Sequence, residues 1–270
     1  MCMDSLTQEL RAKYNPDGSL LRQEQLRMME LLDEIDRICK KYDIPYWLSS
    51  GTLLGAVRHQ GFIPWDDDLD VEMFEEDYDR LLKVLPHELP EHLALQCHET
   101  DPNYFYPFAK LRDRNSYLEE FCIYDRYFKE QGIFVDIFPL VKIPKWVGWI
   151  SGHLHGQIYN QFNNPKLNDE TRLRRARWIW NFNRAVSFPM LRLISKLCWK
   201  CGWRNTLGTS YLRPRDKKDI LPLTEMVFEG KRYPVPHDAD AMLRKLYGDY
   251  LKLPDLNNLH PHCSTLKIFK

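Results

Sequence analysis

The sequence predicts an α/β (α+β) fold built on a mixed sheet, and three observations carry that expectation. Segments with apolar residues at helical spacing alternate with segments of period two. The stretch "DLDVEMF" at 68–74 alternates acidic and apolar residues, as a strand with one polar face does. The run "GIFVDIFPL" at 132–140 is apolar almost throughout and reads as a further strand. With 270 residues, 44% hydrophobic and 28% charged, the chain can bury a full core as one large domain or two small ones, which excludes a disordered protein. Lysine plus arginine equals aspartate plus glutamate at 38 each, so net charge names no partner.

In chain order, "DGSLLRQEQLRMMELLDEIDRICKKYDIP" opens with capping residues. It then spaces Leu21, Met28, Leu31, Leu32, Ile35 and Ile38 along one helical face, ending before Pro45. "PYWLSSG" reads as a short strand entering a tight turn, and "TLLGAVRHQG" as a short helix closed by Gly61. "EEDYDRLLKVLP" is a helix stopped by Pro86, and further strands are expected at "HLALQCHE", "YPFAKLRD" and "GIFVDIFPL". This order gives a mixed sheet over residues 1–144, including the N-terminal helix. Residues 145–215 form a basic, tryptophan-rich region with "KWVGWISGHLHGQIYN" and "TRLRRARWIWNFNRAVSFPMLRLISKLCWKCGWR" helical in pattern, and residues 216–270 return to mixed polarity and are expected to pack on the core.

The start has no basic segment followed by an apolar one, so no secretory signal is expected, and no stretch is long and apolar enough to span a membrane. The seven cysteines, Cys2, Cys39, Cys97, Cys122, Cys198, Cys201 and Cys263, then read as reduced thiols of a cytoplasmic protein. "CWKC" at 198–201 lacks a second pair or a nearby histidine, so its spacing alone does not make a metal site.

The chemistry concentrates at "SSGTLLGAVRHQGFIPWDDDLDVEMF", residues 49–74, where Asp66, Asp67, Asp68 and Asp70 crowd together. Such charges repel unless solvated, protonated or neutralised by a cation. Residues two apart on a strand share a face, so Asp68 and Asp70 project together, Asp66 joins them if the strand begins early, and Asp67 points away. Asp136, between valine and isoleucine in its apolar run, is costly unless paired or metal-bound. Placed on an adjacent strand, it would complete an all-oxygen set suited to Mg²⁺ or Mn²⁺. Ser50, Gly51 and Thr52 open a short helix whose N–H groups favour phosphate. Arg58, His59, Lys110 and Arg112 are candidate cations for phosphate oxygens. Singly, Gly51 could be a mere turn and Arg112 a surface ion pair with Asp113. Together these features make a nucleotidyltransferase-like pattern.

The same block resembles the signature of the LicD family, which includes fukutin-related proteins. The resemblance continues in family order through "FAKLRDRNS", "GIFVDIFPL", "FEGKRYPVP" and "LYGDYLKLP". It implies a phosphotransferase. Bacterial members move phosphocholine from CDP-choline to sugars of teichoic acid or lipopolysaccharide, and eukaryotic relatives move ribitol phosphate from CDP-ribitol. By position, Asp68 and Asp70 match the family's metal-binding pair, Asp66 its preceding aspartate and Asp136 its lone strand aspartate. The cysteine-based zinc loop of the eukaryotic relatives has no clear counterpart, so no zinc is expected. The expected reaction is attack by an acceptor hydroxyl on the phosphorus next to choline, with Asp136 deprotonating or orienting the hydroxyl and CMP leaving. Tyr46, Trp47, Trp65 and Tyr104 are aromatic candidates for holding a quaternary ammonium.

Residues 172–204 hold nine basic residues, no acidic ones and four tryptophans, a composition suited to an anionic membrane surface. The alternatives are helices that pack on the core or bind acceptor, and a nucleic-acid groove. Work on a lipid-linked glycan acceptor favours the membrane, giving a cytoplasmic enzyme peripheral at the inner face, with no nucleic-acid partner. The rivals to phosphocholine transfer are another CDP-linked donor group, a true nucleotidyltransferase releasing pyrophosphate, and an inactive membrane- or glycan-binding scaffold.

Overall fold

A 22-residue helix lying against a mixed sheet organises the computed structural model, which describes residues 5–259 and 263–269. In chain order the elements are α1 (Ser5–Tyr14), α2 (Leu20–Lys41), β1 (Trp47–Leu48), α3 (Ser50–His59), β2 (Asp70–Phe74), α4 (Glu75–Glu88), β3 (Leu93–Gln96), β4 (Ala109–Asp113) and β5 (Ser116–Glu120). They continue with β6 (Phe134–Ile143), α5 (Lys145–Phe162), α6 (Asp169–Phe182), α7 (Phe188–Lys196) and β7 (Gly202–Asn205). The remainder is α8 (Lys217–Ile220), β8 (Thr224–Phe228), β9 (Lys231–Val235), α9 (Ala239–Tyr247) and β10 (Cys263–Ile268). Cys2 and the side chain of Cys263 lie outside the described residues.

Helix α2 forms where the sequence pattern puts it. Ser19 caps it by accepting from the Arg22 amide at 3.2 Å, and Met28, Leu31, Leu32, Ile35 and Ile38 are fully buried against the sheet. Burying side chains of this size contributes about 1.5–3 kcal/mol each. The sheet runs β1-β2-β6-β4-β3, with β2 and β6 parallel and their neighbours antiparallel. The parallel register sets Asp70 directly beside Asp136. Two ribbons, β5 with β10 and β8 with β9, flank this sheet.

Three expectations change. Helix α3 closes on Gln60, in the left-handed conformation at φ 53°, one residue before Gly61. Helix α4 runs through Pro86 to Glu88, because a proline in the last turn removes one hydrogen bond while the Leu89 amide still reaches the Leu85 carbonyl at 3.1 Å. The basic segment is not helical to its end. After α6, a five-residue π-helical turn (Asn183–Ser187) and α7, the chain returns to the sheet as β7. The reason is the length of β6. Strand β4 covers it only from Phe134 to Ile137, and β7 takes over the same edge from Leu140 to Ile143. Trp203 of β7 packs on Phe74 at 4.6 Å between ring centroids, so the helical segment is stitched into the core.

The polar face of β2 divides in two. Asp70 opens to a cleft, whereas Glu72 is fully buried and faces Arg215. Arg215 donates to it from Nη2 at 2.6 Å, and Trp47 Nε1 and Asn205 Nδ2 each donate at 3.4 Å. Removing one member leaves an unpaired buried charge. Glu72→Ala is expected to cost about 3–5 kcal/mol in urea unfolding, and Glu72→Met with Arg215→Leu to recover most of it.

Candidate active site

Asp66, Asp68, Asp70 and Asp136 line one cleft of about 530 Å³, together with Ser50 and Gly51 at the start of α3. Strand β2 begins only at Asp70, so Asp66 and Asp68 reach the cleft from the irregular segment before it. Asp67 turns into the protein, although it lies outside the strand, and its charge acts on buried Glu24 of α2. Burial, then the charges of Asp67 and Asp68, raise Glu24 to about 8, so it is neutral at pH 7.

Backbone and scaffold hydrogen bonds hold the carboxylates in place. The Asp70 amide donates to Thr52 Oγ1 at 2.8 Å, the Ser49 amide to the Asp70 carbonyl at 3.1 Å, and the Asp136 amide to the Leu69 carbonyl at 2.9 Å. Gln25 Nε2 donates to the Asp66 carbonyl at 2.9 Å. A Cβ on Gly51 would stand 2.8 Å from Asp66 Oδ2, so glycine lets this carboxylate lie against the helix start. Ser50 adopts φ 48°, a left-handed conformation unfavourable for serine, at the same place.

Burial, then the charges of Asp68 and Asp136, raise the proton affinity of Asp70 well above that of an ordinary carboxylate. Burial also raises Asp136, to about 6, against the lowering effect of Lys110. Lys110 Nζ lies 3.1 Å from Asp136 Oδ1 and 3.0 Å from Glu120 Oε2. Asp136 Oδ1 therefore already faces one cation, the Lys110 ammonium. Among the described residues no three His, Cys, Asp or Glu side chains already converge as a closed cage.

The other sequence candidates divide. Thr52 is buried beneath the cleft and orients Asp70. Lys110 supports Asp136 from behind. Arg112 is neither a cleft cation nor a surface ion pair. It is buried and donates to Gln96, to the Gly132 carbonyl and to Glu120 at 2.5–2.8 Å, while Asp113 instead faces Arg27 at 3.4 Å. Arg58 and His59 do not line the cleft, because eight positions along a helix carry them about 12 Å from Ser50. Arg58 donates to His59 Nε2 and to the Tyr250 carbonyl, and His59 Nδ1 meets Thr7 Oγ1 at 3.0 Å. Of the aromatic candidates, Tyr46, Trp47 and Tyr104 are buried in the core, and Trp65 packs edge-on against Tyr14.

The opposite wall escaped sequence reasoning. Tyr211, Arg213 and Arg215 come from the segment between β7 and α8, and Tyr247 from the end of α9. Arg213 is exposed and anchored through Nη1 to the Lys245 carbonyl at 2.8 Å. The basic spacing in "YLRPR" was the available signal, and it carries no periodicity.

A mixed sheet with paired aspartates on neighbouring parallel strands, facing a helix start, defines a nucleotidyltransferase-like domain. The model of the LicD/FKTN/FKRP nucleotidyltransferase domain matches residues 43–171, and the chain carries a nucleotidyltransferase domain of the LicD family. It is 28% identical over 266 residues to the lipopolysaccharide cholinephosphotransferase LicD of Haemophilus influenzae, covering 90% of this chain and 95% of the relative. It is also 44% identical over 52 residues to mouse ribitol-5-phosphate transferase FKTN, 19% of this chain and 11% of that protein. A shorter match to mouse ribitol 5-phosphate transferase FKRP is 53% identical over 34 residues, 13% of this chain and 7% of that protein.

Gly51→Ala tests the close approach at the helix start. The added methyl should displace Asp66, lowering kcat at least tenfold with a melting temperature close to wild type.

Proposed function

We propose that this protein transfers phosphocholine from CDP-choline to a sugar hydroxyl of a lipid-linked glycan precursor of the teichoic acid or lipopolysaccharide type, releasing CMP. The observation that carries this reading is the register that sets Asp70 beside Asp136 in a cleft also lined by Asp66 and Asp68. The lipopolysaccharide cholinephosphotransferase relative, which aligns with 90% of the chain, supports phosphocholine as the transferred group.

Asp66, Asp68, Asp70 and Asp136 are the residues to hold Mg²⁺ or Mn²⁺. A divalent cation there supplies neutralisation of the donor diphosphate. Ser50 and Gly51 present the α3 N-terminus to phosphate oxygens. Arg213, on the facing wall, is placed to offset charge on departing CMP. Asp136 accepts or orients the proton of the acceptor hydroxyl, whose oxygen forms a bond to the choline-bearing phosphorus. The bond from that phosphorus to the bridging oxygen breaks, and CMP leaves with the electron pair. Lys110 and Glu120 fix the Asp136 carboxyl for this step.

The membrane reading draws support from the outer face of α6 and α7. Trp178, Phe182, Val186, Met190, Leu193 and Leu197 lie exposed along it at spacings of three or four residues, with Trp178 and Phe182 stacked at 5.5 Å. Trp199 beyond α7 is fully exposed. The basic residues separate by role. Arg172, Arg177, Arg184 and Arg192 bind Asp169, Asn103, Glu99 and Glu75, whereas Arg174, Arg175, Lys196 and Lys200 are exposed. An apolar stripe edged by cations suits an anionic lipid interface. No described helix is long and apolar enough to cross a membrane.

The deciding experiment supplies CDP-choline, CDP-ethanolamine, CDP-ribitol or CTP with Mg²⁺ and a glycan acceptor. CMP release with CDP-choline is the expected outcome, and pyrophosphate from CTP would establish the rival chemistry. Asp68→Asn, Asp70→Asn and Asp136→Asn should each lower turnover by about 10²–10³ or more, with Asp67→Asn milder. Mg²⁺ should raise the wild-type melting temperature and lose that effect in the Asp68/Asp70 double variant. Binding to anionic liposomes should weaken with salt, since screening sets in at about 8 Å under physiological conditions. Joint replacement of Trp178, Phe182 and Leu193 by Ser should abolish pelleting with liposomes.

A further inference from the structure

The sequence candidates for a quaternary ammonium site are absent from the cleft, yet the cleft has aromatic residues of its own. Phe138 follows Asp136 by two positions on β6 and so shares its face of the sheet. Tyr211 and Tyr247 line the same cleft, and each is about half exposed, at 59% and 48%. Phe138 and Tyr211 meet at 6.1 Å between centroids with their planes at 85°, so the two rings form a corner. The Tyr211 and Tyr247 rings are open to a ligand, while Phe138 is buried at the base of the corner, packed on Phe108 at 4.3 Å.

We propose that Phe138, Tyr211 and Tyr247 form the subsite for a quaternary ammonium head group on the phosphoryl group being transferred. This rests on the CDP-choline reading above and adds the residues that would select the head group. A ring face attracts cations through its quadrupole, and a trimethylammonium group gains from several faces at once. Both tyrosine rings share the cleft with Asp66, Asp68, Asp70 and Asp136.

Covalent geometry agrees. In phosphocholine one oxygen and two carbons separate phosphorus from nitrogen, so a phosphorus held at the aspartates places its head group close beside them. Cytidine, beyond the second phosphate, extends farther away. Arg213 and Arg215 line the cleft too. Glu72 neutralises Arg215, and Arg213 is exposed and held by the Lys245 carbonyl.

The test compares kcat/KM for CDP-choline and CDP-ethanolamine in wild type, Tyr211→Ala, Tyr247→Ala and the two Tyr→Phe variants, with CMP affinity measured separately. Either Ala change should lower kcat/KM for CDP-choline by about 2- to 30-fold, chiefly through KM. It should also shrink the preference over CDP-ethanolamine and leave CMP affinity unchanged. The Phe variants, which keep the ring, should retain that preference. An unchanged preference in both Ala variants, in an enzyme that does use CDP-choline, would overturn the subsite and leave the function standing. A parallel loss of CMP affinity would assign the rings to cytidine and also overturn it. Wild-type turnover of CDP-ribitol alone would defeat the donor assignment, and the subsite with it.

Discussion

Four carboxylates on one cleft wall repel each other, and much of the surrounding structure is arranged to hold them there. The critical contact is the parallel pairing of β2 with β6, which fixes Asp70 and Asp136 side by side whatever their charges prefer. Backbone hydrogen bonds resist the repulsion at three points, from Asp70 to Thr52, from Ser49 to Asp70 and from Asp136 to Leu69. Burial first, and neighbouring carboxylates second, raise the proton affinities of Asp70 and Asp136.

Two buried ion clusters brace the paired strands from either side. On one, Arg215 neutralises Glu72, the next residue on the face of β2 that carries Asp70. On the other, Glu120 joins Lys110 to Arg112, and Lys110 meets Asp136. Burial alone would raise Glu120, but the two cations hold it at about 2, so it remains an anion. Strand β10, paired with β5, keeps the backbone of Glu120 in place. Burying such groups is costly, and each is matched by an opposite charge within hydrogen-bonding distance.

The acidic half of the site was legible because its signals are local. Alternation predicts that Asp68 and Asp70 share a side, with Asp66 joining only if the strand begins early; the strand begins at Asp70, and the irregular segment before it brings Asp66 and Asp68 to the same cleft. Basic residues gave poorer guidance. A long cation reaches whichever anion the fold brings near, so Arg112 turned inward and Arg58 fell at the far end of its helix. Tyr211, Arg213 and Tyr247 carry no periodic signal, since their place in the cleft depends on tertiary folding. The same holds for β7, four residues whose strand character comes from the vacant edge of β6. Helix α2 needed no tertiary information, as its caps and apolar stripe agree.

The distance in sequence between Glu72 and Arg215, 143 residues, bears on how the chain is made. On the ribosome, β2 emerges long before the guanidinium that neutralises it. Until then, closing the sheet would bury an uncompensated anion. Strands β2, β4 and β6 are thus complete early but are denied their final packing until β7 and the Arg215 segment arrive. Closing the contact between Glu72 and Arg215 brings together residues far apart in the chain, and it comes after the helical segment between β6 and β7 has been made.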